Sequence, residues 1–149
     1  MARSDSSVLR SVRRIDAPID VVWSLTVDLE RWPSITPTIS SVQLLDDAPL
    51  VIGSRALVRQ PMQRATVWAV DELDEPTLFV WSARVMGMSM VARHLLVSVG
   101  DGVTEQTLEI EVAGRGAGVF LRLFGGRIRR AIDTENEAFA VVAEQAAAG

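Results

Sequence analysis

The sequence predicts a single α+β domain in which a curved, seven-stranded antiparallel sheet wraps around a long C-terminal helix, with two short helices between the first two strands. Two observations predict this class. Short apolar runs separated by turn residues fill residues 8–113, which is the pattern of strands joined by hairpins. After Gly118 the apolar spacing changes from two residues to about 3.6, as a long amphipathic helix requires.

The segment after the first strand is predicted to be helical. Pro18 suits a first helical turn, because its missing N–H would have no partner there. The apolar residues behind it recur at helical spacing, so residues 18–29 are predicted as a helix. Pro33 and Pro37 then leave room only for a short helical turn before the second strand.

Turn residues bound each of the runs that are predicted as strands. The turns at 74–77 and 100–102 are short, which favours antiparallel pairing of their flanking strands. In the last strand Leu108 and Ile110 alternate with Glu109 and Glu111, so one face of the sheet is expected to contact water. The predicted strands are 8–15, 39–45, 54–60, 64–73, 78–85, 88–99 and 104–113.

The C-terminal helix carries one apolar stripe, and a curved sheet cannot bring every side chain into contact with it. We therefore expect a cavity between the sheet and this helix. Gly125 and Gly126 cost about 1 kcal/mol each relative to alanine. They indicate either close packing on the sheet or a hinge that opens the helix end over the cavity. The stripe consists of Leu121, Phe124, Ile128, Ala131, Ile132, Glu135, Phe139 and Val142.

Composition limits the chemistry. The 149 residues are 48% hydrophobic, enough for one core, and residues 1–149 are predicted as one domain with flexible tails at 1–7 and 146–149. The absence of cysteine excludes disulfides, thiolate metal sites and cysteine nucleophiles, and the absence of lysine excludes Schiff-base chemistry. A net charge of −4 argues against nucleic-acid binding. With no signal peptide or long apolar span, we expect a cytoplasmic protein.

A series of short motifs resembles one known superfamily. The motifs are Ala17-Pro18, Val22-Trp23, Asp28, Trp32-Pro33, Pro37-x-Ile39, Val67-Trp68-x-Val70-x-Glu72, Phe79-x-Trp81, Arg93-His94 and Asp101-Gly102-Val-Thr104. In this order they resemble the START-like, helix-grip (SRPBCC) superfamily, and within it the polyketide cyclase/dehydrase and lipid-transport proteins. The resemblance implies the helix-grip fold and a cavity for a small hydrophobic molecule. Ile35 departs from it, since many relatives carry a second tryptophan there, so the pocket mouth is expected to differ.

The residues predicted to bind that molecule are overwhelmingly apolar. Pockets of this kind bind mainly by burying apolar surface, at about 25 cal/mol per Å². The methionines could adapt to an irregular ring system or could simply fill the core. The candidate ligand-binding residues are Trp68, Phe79, Trp81, Met88, Met90, Leu108, Ile110, Leu121, Phe124, Ile128 and Phe139.

His94 is the only histidine and the candidate catalytic residue. Its imidazole could transfer a proton in an aldol cyclisation or dehydration. It shares strand parity with Met88, Met90 and Leu96, so it lies in the cavity if that face is the inner one. Three roles remain open: a structural histidine, a group that orients a ligand, and a general acid or base. One histidine makes a metal site improbable, and none is predicted.

Two classes of function follow, with an interaction role as a third. The first is a non-catalytic binder of a lipid, isoprenoid or polyketide. The second is an aromatase/cyclase that uses His94 in the same cavity. No nucleotide-binding glycine motif or hydrolase elbow is present, so no cofactor is predicted.

The expected partner is therefore a small hydrophobic molecule, with no nucleic acid and no stable membrane insertion. The protein is expected to be a monomer or a homodimer, the latter through a sheet edge or the outer positions Val91 and Leu95. An arginine cluster lies near the start of the long helix, where it forms either a solvated face or a contact for an anionic headgroup or membrane surface. Its members are Arg122, Arg127, Arg129 and Arg130.

Overall fold

The computed structural model describes residues 7–149, and its strands there are β1 (Ser7–Ile15), β2 (Ser41–Leu44), β3 (Arg55–Arg59), β4 (Thr66–Asp74), β5 (Leu78–Val85), β6 (Met88–Gly100) and β7 (Val103–Ala113). All strand neighbours pair antiparallel, in the order β1-β7-β6-β5-β4-β3-β2. Consecutive strands from β2 to β7 lie side by side, and β1 pairs with β7. The predicted seven-stranded antiparallel sheet is thus confirmed.

The bridge between β1 and β2 is helical, as predicted, but it is divided. Helix α1 (Ile19–Val27) begins after Pro18, whose carbonyl accepts the N–H of Val21 at 3.0 Å. It ends before the predicted residue 29, because Asp28 leaves the helical region at φ −89° and ψ 68°. A 3₁₀ turn (Leu29–Arg31) and the short α2 (Trp32–Ile35) follow.

The long helix α3 (Ala117–Ala148) runs past residue 146, where a C-terminal tail was predicted to begin. Of the predicted N-terminal tail, residues 1–6 lie outside the described residues. Close packing does not explain Gly125 and Gly126 of α3. A methyl group at Gly125 would meet nothing nearer than the Leu121 side chain at 3.9 Å, and one at Gly126 would meet nothing within 4 Å.

The two faces of the sheet differ as the sequence predicts for β7. Leu108 and Val112 of β7 are buried on the inner face. On the outer face, Arg10 pairs with Glu109 at 3.1 Å and Arg93 with Glu111 at 2.8 Å. The inner face therefore holds the core, and α3 packs mainly against β1 and β7.

A buried polar network fixes α3 on the sheet. Asn136 accepts a hydrogen bond from Gln106 Nε2 at 2.7 Å and donates to the Ser11 carbonyl and hydroxyl oxygens, each at 3.1 Å. These three residues join α3, β7 and β1. Because burial strengthens such bonds and penalises their loss, the network determines the register of α3 on the sheet.

Candidate functional site

An aromatic cluster occupies the interior beside α3, with Trp32 of α2 at its centre. The Trp32 ring lies 5.2 Å from Trp81 and 5.2 Å from His94, measured between ring centroids, and 5.5 Å from Phe139 of α3. Trp32 Nε1 donates a hydrogen bond to the Leu25 carbonyl oxygen at 3.2 Å. This bond holds the buried indole in one orientation, since a buried N–H requires a partner.

Strand register brings the sheet residues of the cluster together. Phe79, His94 and Leu108 are opposite one another on β5, β6 and β7, and their neighbours Trp81, Ala92 and Ile110 form the next such row. Every second residue of a strand faces the same side. The rows therefore present their side chains to α2 and α3 and form the floor of the site. The face that carries His94 is thus the inner one, which was the condition for placing His94 in the cavity.

A cavity of about 60 Å³ lies among these side chains. It has room for a few water molecules and is far smaller than the roughly 300–1,000 Å³ of typical ligand pockets. Trp68, Gln60 and Glu135 keep partial exposure and mark its mouth, while His94 lies at its inner end. The lining consists of Trp32, Ile39, Val58, Gln60, Trp68, Trp81, Ala92, Arg93, His94, Leu108, Glu109, Ile110, Ile132 and Glu135.

His94 is the buried polar group of this cavity. Its residue is 4% exposed, and no hydrogen bond joins its ring to any other part of residues 7–149. Burial lowers the pKa of His94 from 6.5 to about 4, because the charged imidazolium is poorly solvated there. At neutral pH the imidazole is uncharged, so it can donate and accept hydrogen bonds, but it is a weaker base than a solvated histidine.

Glu135 of α3 supplies a second titratable group to the same cavity. Burial raises the pKa of this carboxyl from 4.5 to about 7, and within residues 7–149 no hydrogen bond or cation compensates it. In the sequence, Glu135 lies on the apolar stripe of the C-terminal helix and was not among the predicted site residues. Its position between Ile132 and Phe139 on a buried stripe was the sequence feature that could have marked it as a site residue, because an ionisable side chain rarely faces a core without a function.

The structure brings together only part of the predicted ligand-binding set. Trp68, Trp81, Leu108 and Ile110 line the cavity together with His94. The other predicted residues lie elsewhere, and their contact with a ligand stays a prediction. Phe79 and Phe139 pack behind the lining, Met88, Met90 and Leu121 form a separate cluster near the start of α3, Ile128 is half-buried outside the lining, and Phe124 is exposed.

A larger depression of about 610 Å³ lies away from this site, between α1 and the loops that precede β3 and β5. Trp23 and Leu29 form part of its wall, and Asp28, Glu30 and Glu75 give it an acidic rim. It contains none of the buried titratable groups. We therefore place the candidate site at the smaller cavity, where aromatic surface and uncompensated polar groups meet.

Residues 7–149 contain neither a metal-binding cluster nor a membrane-spanning helix. Within that range no group of three or more histidine, aspartate or glutamate side chains is arranged to bind a metal ion. None of the helices in the same range has the length and apolar character needed to cross a membrane.

Comparison with known proteins identifies the family to which the chain belongs. A sequence model described as "Polyketide cyclase / dehydrase and lipid transport" matches residues 7–144. The chain belongs to this family. A Streptomyces cyaneus protein, to which a polyketide cyclase role has been assigned by inference, is 36% identical over 55 residues. That match covers 37% of this chain and only about a third, 36%, of the relative's length.

Solved structures confirm the fold. The Zhui aromatase/cyclase from Streptomyces sp. R1128 superposes with a TM-score of 0.77 and 16% identity, covering 94% of each chain. Truncated norcoclaurine synthase from Thalictrum flavum gives 0.75 and 11%, covering 95% of this chain and 96% of its own. A START superfamily protein from Mycobacterium smegmatis gives 0.73 and 16%, covering 93% and 97%. At these identities the likeness establishes the helix-grip fold.

Proposed function

We propose that this protein binds a small hydrophobic molecule, such as a lipid, an isoprenoid or a polyketide, in the cavity between the sheet and α3, without changing it chemically. The observation that carries the proposal is the aromatic wall. The rings of Trp32 and Trp68 each lie 5.2 Å from Trp81, beside the cavity. Large flat apolar surfaces of this kind bind ring systems and chains by burial, and a few polar groups orient them.

The cavity must widen to admit such a molecule, and Trp68 is the part of the wall best placed to move. It is partly exposed, and its only ring contact with another aromatic side chain of residues 7–149 is with Trp81. Trp32, in contrast, is buried and hydrogen-bonded. Rotation of the Trp68 side chain would join the cavity to solvent and leave the rest of the wall in place.

Native mass spectrometry of gently purified protein, followed by denaturing extraction, is the first test. A retained hydrophobic compound would support the proposal and name its ligand class. Ala92→Val, which adds carbon atoms inside the cavity, is expected to weaken binding of that compound about tenfold, equivalent to about 1.4 kcal/mol. Ala83→Val makes the same change at a buried position outside the lining and is the matched control.

Two results would contradict the proposal. One is equal affinity of the two valine variants for the retained compound. The other is an empty protein that neither binds a panel of fatty acids, isoprenoid alcohols and anthraquinones nor gains thermal stability from them. An interaction role would then be the better explanation.

A second candidate function is proton-transfer catalysis of the aromatase/cyclase kind, and the pairing of His94 with Glu135 favours it. Two titratable groups whose pKa values move in opposite directions are typical of acid–base sites. The carboxylate form of Glu135, the stronger base of the two, would accept a proton from the carbon between two carbonyl groups, and this carbon would then attack another carbonyl. Neutral His94 would orient that carbonyl by donating a hydrogen bond to its oxygen, and the proton held by Glu135 would pass to the alkoxide that forms. Positioning of a folded chain by the aromatic wall would contribute further.

Turnover of a linear poly-β-ketone thioester analogue tests this candidate. Under the catalytic hypothesis Glu135→Gln and His94→Gln each reduce the rate about a hundredfold or more while the analogue still binds. Under the binding hypothesis the unmodified protein gives no cyclised product. The two substitutions then change affinity by about tenfold or less.

A further inference from the structure

The first half of α3 exposes large apolar side chains to solvent. Val119 is 63% exposed, Leu123 71% and Phe124 40%. Phe120 is half-buried, and its ring lies 5.1 Å from that of Phe124. Single exposed apolar residues are ordinary on protein surfaces, but a contiguous group on one helix marks an interaction site.

The same part of the helix is strongly basic in a protein whose net charge is −4. No acidic residue occurs between Glu111 and Asp133 in the sequence. Within residues 7–149 the ion pairs involve only other arginines, so none of those in this segment has a carboxylate partner. The exposed arginines of the segment are Arg115, Arg122, Arg127, Arg129 and Arg130.

Helical geometry places the two kinds of side chain together. Ala117, Gly125 and Ile132 are buried against the sheet. Successive residues are about 100° apart around the helix axis, so Val119 and Leu123 lie on the side of α3 opposite to these three residues. The arginines lie on this outward side and on its two flanks. A helix with leucine and phenylalanine bordered by arginine is typical of segments that lie in a membrane interface.

A neighbouring hairpin extends the apolar surface. Met86 is 83% exposed at the turn between β5 and β6. This turn lies beside the start of α3, since a methyl group at Gly114 would be 3.7 Å from the Gly87 carbonyl oxygen. Met86 therefore projects at the end of the molecule where α3 begins.

We propose that this surface, made of residues 115–130 and Met86 and called here the α3 surface, docks the protein on an anionic lipid bilayer. The arginines would contact lipid phosphates and carboxylates, and Leu123 and Phe124 would enter the boundary between headgroups and acyl chains. Charge complementarity favours this occupant over a second copy, because a two-fold contact would set the exposed arginines of one α3 surface against those of the other, whereas anionic headgroups would neutralise them. The proposal does not use the cavity and stands apart from the proposed function.

Vesicle flotation with the full chain tests the proposal. We expect binding to phosphatidylcholine vesicles that contain roughly 30% phosphatidylserine, little binding to pure phosphatidylcholine, and a loss of binding between about 0.1 M and about 0.5 M salt. Arg122→Gln combined with Arg129→Gln is expected to weaken binding about fivefold for each arginine removed. Leu123→Ser is expected to weaken it at every salt concentration, because it removes apolar contact.

Matched variants control for charge and for apolar loss. Arg31→Gln combined with Arg64→Gln removes the same charge at exposed positions outside the α3 surface. Val141→Ser makes an equivalent change on the exposed side of the same helix. Equal binding of the α3 variants and their controls would overturn the proposal, as would failure of the unmodified protein to bind anionic vesicles. Sedimentation showing a dimer that Leu123→Ser dissociates, without vesicle binding, would assign the surface to a second copy instead.

Discussion

Glu135→Gln is expected to stabilise the protein, and the gain should grow as the pH rises. In the unfolded chain the carboxyl ionises around pH 4.5, whereas in the folded protein burial raises its pKa to about 7. Between these values the unfolded state releases a proton that the folded state keeps. The free energy of unfolding therefore falls with rising pH and levels off above about pH 7. Glutamine has the shape of the protonated side chain and cannot ionise, so the variant avoids this loss.

The size of the effect follows from the pKa change. Raising a pKa from 4.5 to about 7 corresponds to about 3 kcal/mol, at about 1.4 kcal/mol for each pH unit. Glu135 keeps some exposure, and solvent screening reduces the figure to about 2 kcal/mol. We expect the variant and the unmodified protein to be nearly equal at about pH 4 and to differ by about 2 kcal/mol at about pH 8.

His94 makes the free energy of unfolding change with pH in the opposite direction, which helps to distinguish the variants. Its pKa falls from 6.5 to about 4 on folding, so the unfolded state binds a proton that the folded state lacks. Stability is lost as the pH falls from about 6.5 to about 4. In the unmodified protein the pH dependences of unfolding free energy due to His94 and Glu135 oppose each other between about pH 4.5 and 6.5. In Glu135→Gln only the dependence due to His94 should remain.

Urea unfolding followed by tryptophan fluorescence at several pH values measures these differences. Glu137→Gln, at an exposed position on the same helix, is the matched control and should show no comparable growth of the difference with pH. A stability gain for Glu135→Gln that is constant with pH would refute the reasoning. A gain that grows as the pH falls would refute it as well.

Three other substitutions test the packing of the fold. Asn136→Ala should lower the free energy of unfolding by about 2–4 kcal/mol in chemical denaturation, because it leaves the Gln106 amide buried without its partner. Gly126→Ala should raise it by up to about 1 kcal/mol, since the added methyl group meets nothing within 4 Å; slower ligand uptake in this variant would support the hinge hypothesis. Trp32→Phe should lower the free energy of unfolding by about 2 kcal/mol or more, because the Leu25 carbonyl loses its donor. The near-ultraviolet circular dichroism bands of the aromatic cluster should weaken in the same variant.

The local rules of the sequence predict the sheet and helices well. The proline positions around α1 and the alternation of β7 depend on neighbouring residues only, and both agree with the structure. Strand parity also grouped His94 with Met88, Met90 and Leu96, because residues of one strand share a face at intervals of two, but it left open which face is the inner one.

The size of the cavity could not be predicted in the same way. It depends on the position and rotamers of Trp32 and Trp68, which are set by the docking of α2 and by contacts between distant strands. Trp32 figured in the sequence only as part of a motif, although it is the centre of the aromatic cluster. Phe124 showed helical spacing for burial, but it is exposed, and its ring contacts Phe120 at 5.1 Å between centroids.

Glu135 would couple the stability of the fold to binding of the ligand proposed for the cavity. An apolar side chain at this position would continue the stripe of α3 without the cost of burying a carboxyl, so packing alone does not account for the glutamate. A ligand that accepts a hydrogen bond would bind the protonated carboxyl and raise the pKa of Glu135 further. A ligand that donates would bind the carboxylate and lower that pKa. By linkage, the first kind stabilises the protein more below about pH 7 and the second more above it. Thermal shifts of one retained compound on either side of that pH therefore distinguish a carbonyl-bearing ligand from a cationic or hydroxyl-bearing one, and equal shifts for the unmodified protein and Glu135→Gln would show that the carboxyl does not contact the ligand.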